Sequence, residues 1–158
     1  MPAQTPGAAP PAAPGTAIAV LDTNAWLDLY VFDDAPAREL RAALEAGRLQ
    51  AVRSGRTDAE LEAVLERPAL AARSPAAATA LRLAAWRGAA RCIDEAALRP
   101  APWLCRDRDD QKFLDLAVAA RAAWLITKDR ALLELDRRTR HAGLRVATPA
   151  QYARGAGA

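Results

Sequence analysis

Four carboxylic acids occupy equivalent places relative to the predicted strands and helices of this chain. Asp22 follows the first predicted strand, and Asp129 follows the third. Glu60 is expected in the first turn of the helix after the second strand, and Asp110 at the start of the helix that leads into the third. Ligands of open α/β sheets bind in the crevice at the carboxyl ends of the strands. We therefore expect all four acids to converge on that edge.

Carboxylates gathered in one crevice predict a site for a divalent cation. Like charges within a few ångströms repel, so one or more must take up a proton unless a cation neutralises them. An all-oxygen ligand set suits Mg²⁺ or Mn²⁺, which keep several waters and accept substrate phosphate as a further ligand. Such a metal activates water for attack on a phosphodiester, and two ions about 4 Å apart would hold both the attacking and the leaving oxygens.

The other reactive side chains exclude most alternative hydrolytic chemistry. His141 is the only histidine, so there is no multi-histidine zinc site, and a Ser-His-Asp triad has one possible base. Cys92 and Cys105 fit neither a disulfide scaffold nor a CxxC zinc site. The net charge is +3, and all basic residues except Lys112 and Lys128 are arginine. This excess fits a nucleic-acid partner, although a GC-rich genome would also produce it.

Each acid also has a purely structural interpretation. Thr57-x-x-Glu60 matches a capping box, in which Glu60 would accept a hydrogen bond from the amide of Thr57. The aspartates could cap helices or interact favourably with the positive end of a helix dipole; this applies to Asp22, Asp129 and the aspartates of 107–110. Caps have no reason to converge on one crevice, so convergence favours a functional site.

Alternating strands and helices predict an α/β fold. Strands are expected at 16–21, 48–52, 123–127 and 144–147, and helices at 36–46, 57–66, 111–123 and 130–138. The Ala-rich region 69–99 is expected to be helical, with interruptions at Ser74-Pro75 and Gly88. This pattern predicts a three-layer α/β/α sandwich with a mainly parallel central sheet.

The first fifteen residues differ from the rest in composition. They are rich in Ala, Pro and Gly and carry no charged side chain, which predicts a disordered tail and not a secretory signal. The folded domain is expected over 16–153, with a flexible C-terminus at 154–158. No apolar run approaches the roughly 20 residues of a membrane helix. We therefore expect no membrane association and a cytoplasmic location.

Five stretches of the chain resemble the PIN-domain family. They are Val20–Asn24 (VLDTN), Ala59–Leu65 (AELEAVL) with Arg67-Pro68, Arg106–Ala117 (RDRDDQKFLDLA), Leu125–Asp129 (LITKD) with Leu132-Leu133, and Val146–Pro149 (VATP). All five occur in the family's order and with its approximate separations, between Thr16 and Tyr152. The resemblance is to the branch described as toxins of bacterial toxin–antitoxin systems.

The resemblance implies a Rossmann-like, PIN-like fold and an Mg²⁺- or Mn²⁺-dependent endoribonuclease that cleaves single-stranded RNA as the toxin of a type II module. The family's acids fall on Asp22, Glu60, Asp110 and Asp129. Asp22 would be a central metal ligand, and Asp110 would bind metal directly or through water. Glu60 and Asp129 would complete the metal cage or orient the attacking water. A cognate antitoxin and a second copy of the chain are the implied protein partners.

Polar residues beside the acids match supporting positions of the family. Thr23, Asn24 and Thr127 could orient the metal ligands. Many relatives carry their third acid one residue later, where this chain has Gln111. The third acid is therefore expected at Asp110, with Asp109 and Asp107 as alternatives.

Three arginines flank the predicted acids, namely Arg106, Arg108 and Arg130. They could hold the RNA backbone, or they could pair with the carboxylates when no metal is bound.

Two other functions fit part of the sequence. A catalytically inactive PIN fold could bind RNA or protein, but such a module has little reason to keep a repulsive acidic cluster. Aspartyl-phosphate chemistry would use Asp22 as nucleophile. Haloacid-dehalogenase enzymes usually carry a second aspartate two residues later, however, where Asn24 stands in this chain.

Overall fold

The computed structural model describes residues 12–155, in which five strands form one parallel sheet. The strands are β1 (Ala17–Leu21), β2 (Leu49–Ser54), β3 (Arg91–Ile93), β4 (Trp124–Ile126) and β5 (Arg145–Ala147). Their order in the sheet is β3-β2-β1-β4-β5, and every neighbouring pair is parallel. The chain thus builds outward from β1 in one direction and then in the other, which places a topological switch point between β1 and β4.

Nine α-helices occur within the same described range. They are α1 (Thr23–Tyr30), α2 (Arg38–Glu45), α3 (Gly55–Leu65), α4 (Pro68–Ala71), α5 (Ala76–Ala89), α6 (Gln111–Ala119), α7 (Arg130–Leu133), α8 (Asp136–Thr139) and α9 (Pro149–Gly155). Among residues 12–155, every helix is too short or too polar to cross a lipid bilayer.

Apolar side chains cover both faces of the sheet. Ala19 and Leu21 of β1 belong to one core cluster, whereas Val20 belongs to the other, because successive strand residues point to opposite faces. Helices α1, α2 and α3 pack in the first cluster, and α6 and α7 pack in the second. The predicted three-layer α/β/α sandwich is confirmed.

The segment 69–99 departs from the helical prediction at its end. It contains β3, an edge strand of three residues that pairs with β2. Only one of its residues, Ile93, is buried, so the segment lacks the apolar run by which the other strands were recognised. The interruption expected at Gly88 was also wrong, because α5 continues through this residue to Ala89.

Two other helices differ from their expected extents. Helix α6 ends at Ala119, and Arg121 follows with a left-handed φ of 53°. The helix expected over 130–138 consists of the two short helices α7 and α8. The expected domain limits remain predictions, since residues 1–11 and 156–158 lie outside the described part of the chain.

Leu114 provides a test of the core around α6. This side chain is fully buried in the second core cluster, on the sheet face to which Val20 of β1 points. Leu114→Ala should lower the free energy of unfolding by about 2–5 kcal/mol, because it removes buried methyl groups and leaves a cavity. Leu81→Ala is the control, since Leu81 is 73% exposed on α5 and its truncation should change stability by about 0.5 kcal/mol or less. Urea denaturation monitored by circular dichroism measures both; equal stabilities would contradict the packing described.

Candidate active site

Three aspartates approach one another beyond the carboxyl end of β4. One carboxylate oxygen from each of Asp107, Asp110 and Asp129 lies within 4.8 Å of the other two. Asp107 begins a 3₁₀ turn over Arg108–Asp110, and side chains three residues apart eclipse in such a turn. This geometry brings Asp107 and Asp110 together from one short segment. Asp109, the other alternative for the third acid, is exposed and lies outside the group.

Asp22 lies beneath this group at the end of β1 and is buried. Its Oδ1 accepts a hydrogen bond from the amide of Ala25 at 2.8 Å, so Asp22 also caps α1. Its Oδ2 accepts from the hydroxyl of Thr127. Burial, together with the smaller effects of the charges of Asp129 and Glu60, raises the pKa of Asp22 to about 6 in spite of these two bonds.

Asp110 combines a raised pKa with a buried oxygen that lacks a hydrogen-bond partner among residues 12–155. Burial raises its pKa to about 7, and the charges of Asp129, Asp107 and Asp22 act in the same direction. Its Oδ2 is buried and has no hydrogen-bond partner in the described part of the chain. A buried oxygen without a donor, inside a set of carboxylates, fits a hard divalent cation that takes oxygen ligands.

Two threonines hold the acids in place. The Thr127 hydroxyl donates to Asp22 and accepts from the amide of Asp129 at 2.9 Å, which joins the ends of β1 and β4. The Thr23 hydroxyl donates to Glu60. Asn24, the third residue expected to support the acids, is exposed on the wall of the adjoining cleft.

Glu60 has a different local role from the one its spacing predicts. Ser54 is the N-cap of α3 and forms the capping box with Thr57, so the capping box expected between Thr57 and Glu60 was wrong. Because α3 begins at Gly55, Glu60 lies in its second turn and not in its first. Its Oε2 accepts from Thr23, and its Oε1 lies 2.9 Å from the Nζ of Lys112.

Both lysines of the chain pair with acids at this edge, a feature that the sequence analysis missed. Lys112 pairs with Glu60 and donates to the carbonyl oxygen of Asp109 at 2.5 Å. Lys128 Nζ lies 2.6 Å from the Oδ2 of the buried Asp28. Their rarity in the sequence could have indicated a special role, because they are the two lysines of a chain whose other cationic side chains are arginines.

Gln111 fixes the loop that carries Asp107 and Asp110. Its Oε1 accepts from the amide of Cys105 at 2.7 Å, and its Nε2 donates to the carbonyl of Trp103 at 3.0 Å and to Asp115 at 2.9 Å. The position where many relatives carry an acid therefore orients the loop in this chain. The acid facing the cluster is Asp110.

A cleft of about 690 Å³ opens beside the acids, and all three flanking arginines line it. Its walls, which we call the acid-side cleft, are formed by Asn24, Arg106, Asp107, Arg108, Lys128, Asp129, Arg130 and Ala131. Arg106 pairs with Glu134 at 3.4 Å, outside the predicted acids. Within residues 12–155, Arg108 and Arg130 have no carboxylate within ion-pair distance. Among the four predicted acids, the ion pair is between Glu60 and Lys112. Arg108 and Arg130 therefore remain available for an anionic ligand.

The four acids singled out from the sequence therefore lie at one edge of the sheet. Asp22 interacts electrostatically with Asp129 and Glu60, and Asp110 interacts with Asp129 and Asp22. Asp22 and Asp129 also cap α1 and α7, so the structural and the functional interpretations apply together. Asp107 joins the cluster in addition to Asp110. Their catalytic roles remain predictions.

The parallel sheet and the acidic crevice at its switch point agree with the fold and site expected from the family resemblance of the sequence. The PIN-domain family model matches residues 18–131, and the chain belongs to this family, whose members are generally nucleases. The crystal structure of PAE2754 from Pyrobaculum aerophilum has a similar fold, with a TM-score of 0.57 and 17% sequence identity over 94% of this chain and 100% of that one. No curated protein matches the sequence significantly.

The raised pKa of Asp110 predicts a pH-dependent stability for the metal-free protein. The folded state holds this proton more tightly than the unfolded chain, so the contribution of Asp110 to stability falls as the pH rises from about 4 to about 7. Asp110→Asn should therefore raise the free energy of unfolding at pH 8 by about 1 kcal/mol, since solvent screens a part-exposed carboxylate. The gain should shrink toward pH 4. Thermal unfolding in the presence of a chelator measures the stability of both proteins across this pH range, with Asp109→Asn as control. A gain in stability that does not depend on pH would contradict an electrostatic origin of the effect.

Proposed function

We propose that this protein is a divalent-metal-dependent endoribonuclease that cleaves single-stranded RNA. The observation that carries the proposal is the buried, unpartnered oxygen of Asp110 among the carboxylates of Asp22, Asp107 and Asp129. The adjoining acid-side cleft is lined by arginines that suit phosphate. Membership in a family of nucleases agrees with this chemistry.

Mg²⁺ or Mn²⁺ would be held by Asp110, Asp129 and Asp107, with Asp22 below them. The bound ion supplies activation of water and stabilisation of the charge that develops on the phosphodiester. Asp22 keeps its orientation because both of its oxygens accept hydrogen bonds from fixed donors. Two backbone amides hold Asp129 in the same way, at 2.8 Å from Ala131 and 3.4 Å from Leu132.

Glu60 is proposed to orient the attacking water. It lies outside the three clustered aspartates, and both of its oxygens are already positioned, one by Thr23 and one by Lys112. Each carboxylate oxygen has two lone pairs, so Glu60 can accept a further hydrogen bond from water. Lys112 keeps the negative charge of Glu60 compensated near Asp22.

The biological setting is proposed from the family resemblance. We propose that the protein is the toxin of a type II toxin–antitoxin module, acts in the cytoplasm on cellular RNA, and is held inactive by a cognate antitoxin. A homodimer belongs to the same proposal. Growth arrest on expression of the chain, and its relief by the product of an adjacent gene, would support this setting.

Cleavage of RNA gives the direct test of the site. The purified protein with Mn²⁺ should cut a single-stranded oligoribonucleotide internally. Asp22→Asn should reduce the rate by about 100-fold or more, which is the effect of removing one preorganised electrostatic group. Asp109→Asn, which changes an exposed neighbour of the cluster, should keep nearly full activity. Undiminished cleavage by Asp22→Asn would overturn the assignment of the site.

Metal binding separates the nuclease from an inactive binding module of the same fold. Mn²⁺ should stabilise the wild-type protein against heat, by about 2.7 kcal/mol at a free concentration 100 times Kd. Asp110→Asn should lose most of this stabilisation, because it removes a central charged ligand, whereas Asp109→Asn should retain it. Differential scanning and titration calorimetry measure both quantities. An absence of binding heat at millimolar Mn²⁺ would favour the binding module.

A further inference from the structure

A second cleft lies on the other side of the segment 105–110. It has a volume of about 720 Å³, and we call it the outer cleft. Its lining residues are Arg56, Leu104, Cys105, Arg106, Arg108, Asp109, Gln111, Lys112 and Asp115. Arg106 and Arg108 line the outer cleft and also the acid-side cleft. The two clefts are therefore adjacent, separated by the ridge that carries Asp107 and Asp110.

Two arginines of the outer cleft are accessible and only weakly engaged. Arg56 is 75% exposed and lies 3.6 Å from Glu95, and Arg106 is 70% exposed and lies 3.4 Å from Glu134. Exposed ion pairs of this kind contribute little to stability, so a phosphate can replace the carboxylate with little loss. A guanidinium binds phosphate through two parallel hydrogen bonds, which makes such an exchange favourable.

One large apolar side chain stands among these cations. Leu104 is 79% exposed, and Leu81 is the other large hydrophobic residue with a comparable exposure among the described residues. A single exposed leucine is common on protein surfaces. Beside guanidinium groups, however, it provides an apolar surface next to phosphate-binding groups. Nucleotides present this same combination, because each has an apolar base face and a charged phosphate.

The acidic cluster favours contacts with a polyanion on both of its sides. Its carboxylates repel the phosphates of a nucleic acid, and positive charges on both sides of the cluster offset this repulsion. Arg130 provides a positive charge on one side, and Arg56 provides one on the other.

We propose that the outer cleft is a second binding subsite for single-stranded nucleic acid. One strand crosses the ridge 105–110 and occupies both clefts, with Arg56 on a phosphate and Leu104 against a base. This proposal depends on the proposed function only for the class of substrate, which is single-stranded nucleic acid. It adds the path of the strand and two residues that no family motif of the sequence includes.

The test measures binding without cleavage. Metal-free full-length protein is titrated into a fluorescently labelled oligoribonucleotide of about 12 nucleotides, within the range that single-strand-binding proteins cover. Arg56→Ala should raise Kd about fivefold at about 0.1 M salt and lower the slope of log K against log salt by about 0.7, the contribution of one phosphate contact to a single strand. Arg130→Ala should do the same. The double variant should lose about 1.4 from the slope, and the complex should remain one to one.

Matched controls use exposed residues outside both clefts. Arg38 is 66% exposed and loosely paired with Asp33 at 3.8 Å, so Arg38→Ala should leave Kd and the salt slope unchanged. Leu104→Ser should raise Kd about threefold with an unchanged salt slope, because a base contact releases no counterion, and Leu81→Ser should have no effect.

Two outcomes would overturn the subsite. The first is an Arg56→Ala variant that binds like Arg38→Ala while Arg130→Ala is impaired, and the second is binding of two strands per protein. Equal Kd values for Leu104→Ser and Leu81→Ser would overturn the base contact. The test is independent of catalysis: a protein that binds as described but fails to cut RNA with Mn²⁺ would contradict the nuclease and leave the subsite standing.

Discussion

Repulsion among carboxylates at the ends of β1 and β4 is the constraint to which the rest of the site responds. Burial and neighbouring negative charges raise the pKa values of both Asp22 and Asp110. The protein reduces the cost of this arrangement with two kinds of partner. Backbone amides at the starts of α1 and α7 donate to the carboxylates of Asp22 and Asp129, the Thr127 hydroxyl donates to Asp22, and Lys112 pairs with Glu60. Of these acids, Asp110 keeps a buried oxygen that has no hydrogen-bond donor within residues 12–155, so it would gain most from a bound cation.

The topology of the sheet explains why these groups meet. Strands β1 and β4 are neighbours in the sheet, although more than a hundred residues separate them in sequence. The helices after β1 and β4 leave the switch point in different directions and open a crevice between them. Thr127 spans this crevice with hydrogen bonds to both Asp22 and Asp129. The same side chain thus joins the two halves of the sheet and sets the spacing of the acids.

The sequence predicted those features that local patterns encode. Buried strands followed by polar residues, with helices between them, were sufficient for the parallel sheet and for the edge on which the acids lie. Local patterns misled at β3, in which Ile93 is the one buried residue and which is ordered by pairing with β2. They also misled at Glu60, because its partner Thr23 is 37 residues away while the spacing suggested a local cap. The ion pairs of Lys112 and Lys128 likewise depend on how distant segments pack, which no single-sequence motif records.

The hydrogen bonds of Gln111 restrict which side chains position 111 can hold. A glutamate at position 111 would place a carboxylate one residue after Asp110. In this fold the change would remove the donor that serves the Trp103 carbonyl and would set a new anion against Asp115. The loop would have to be rebuilt before such a mutation became tolerable. An amide side chain at position 111 is therefore a requirement of this loop, independent of any role in metal binding.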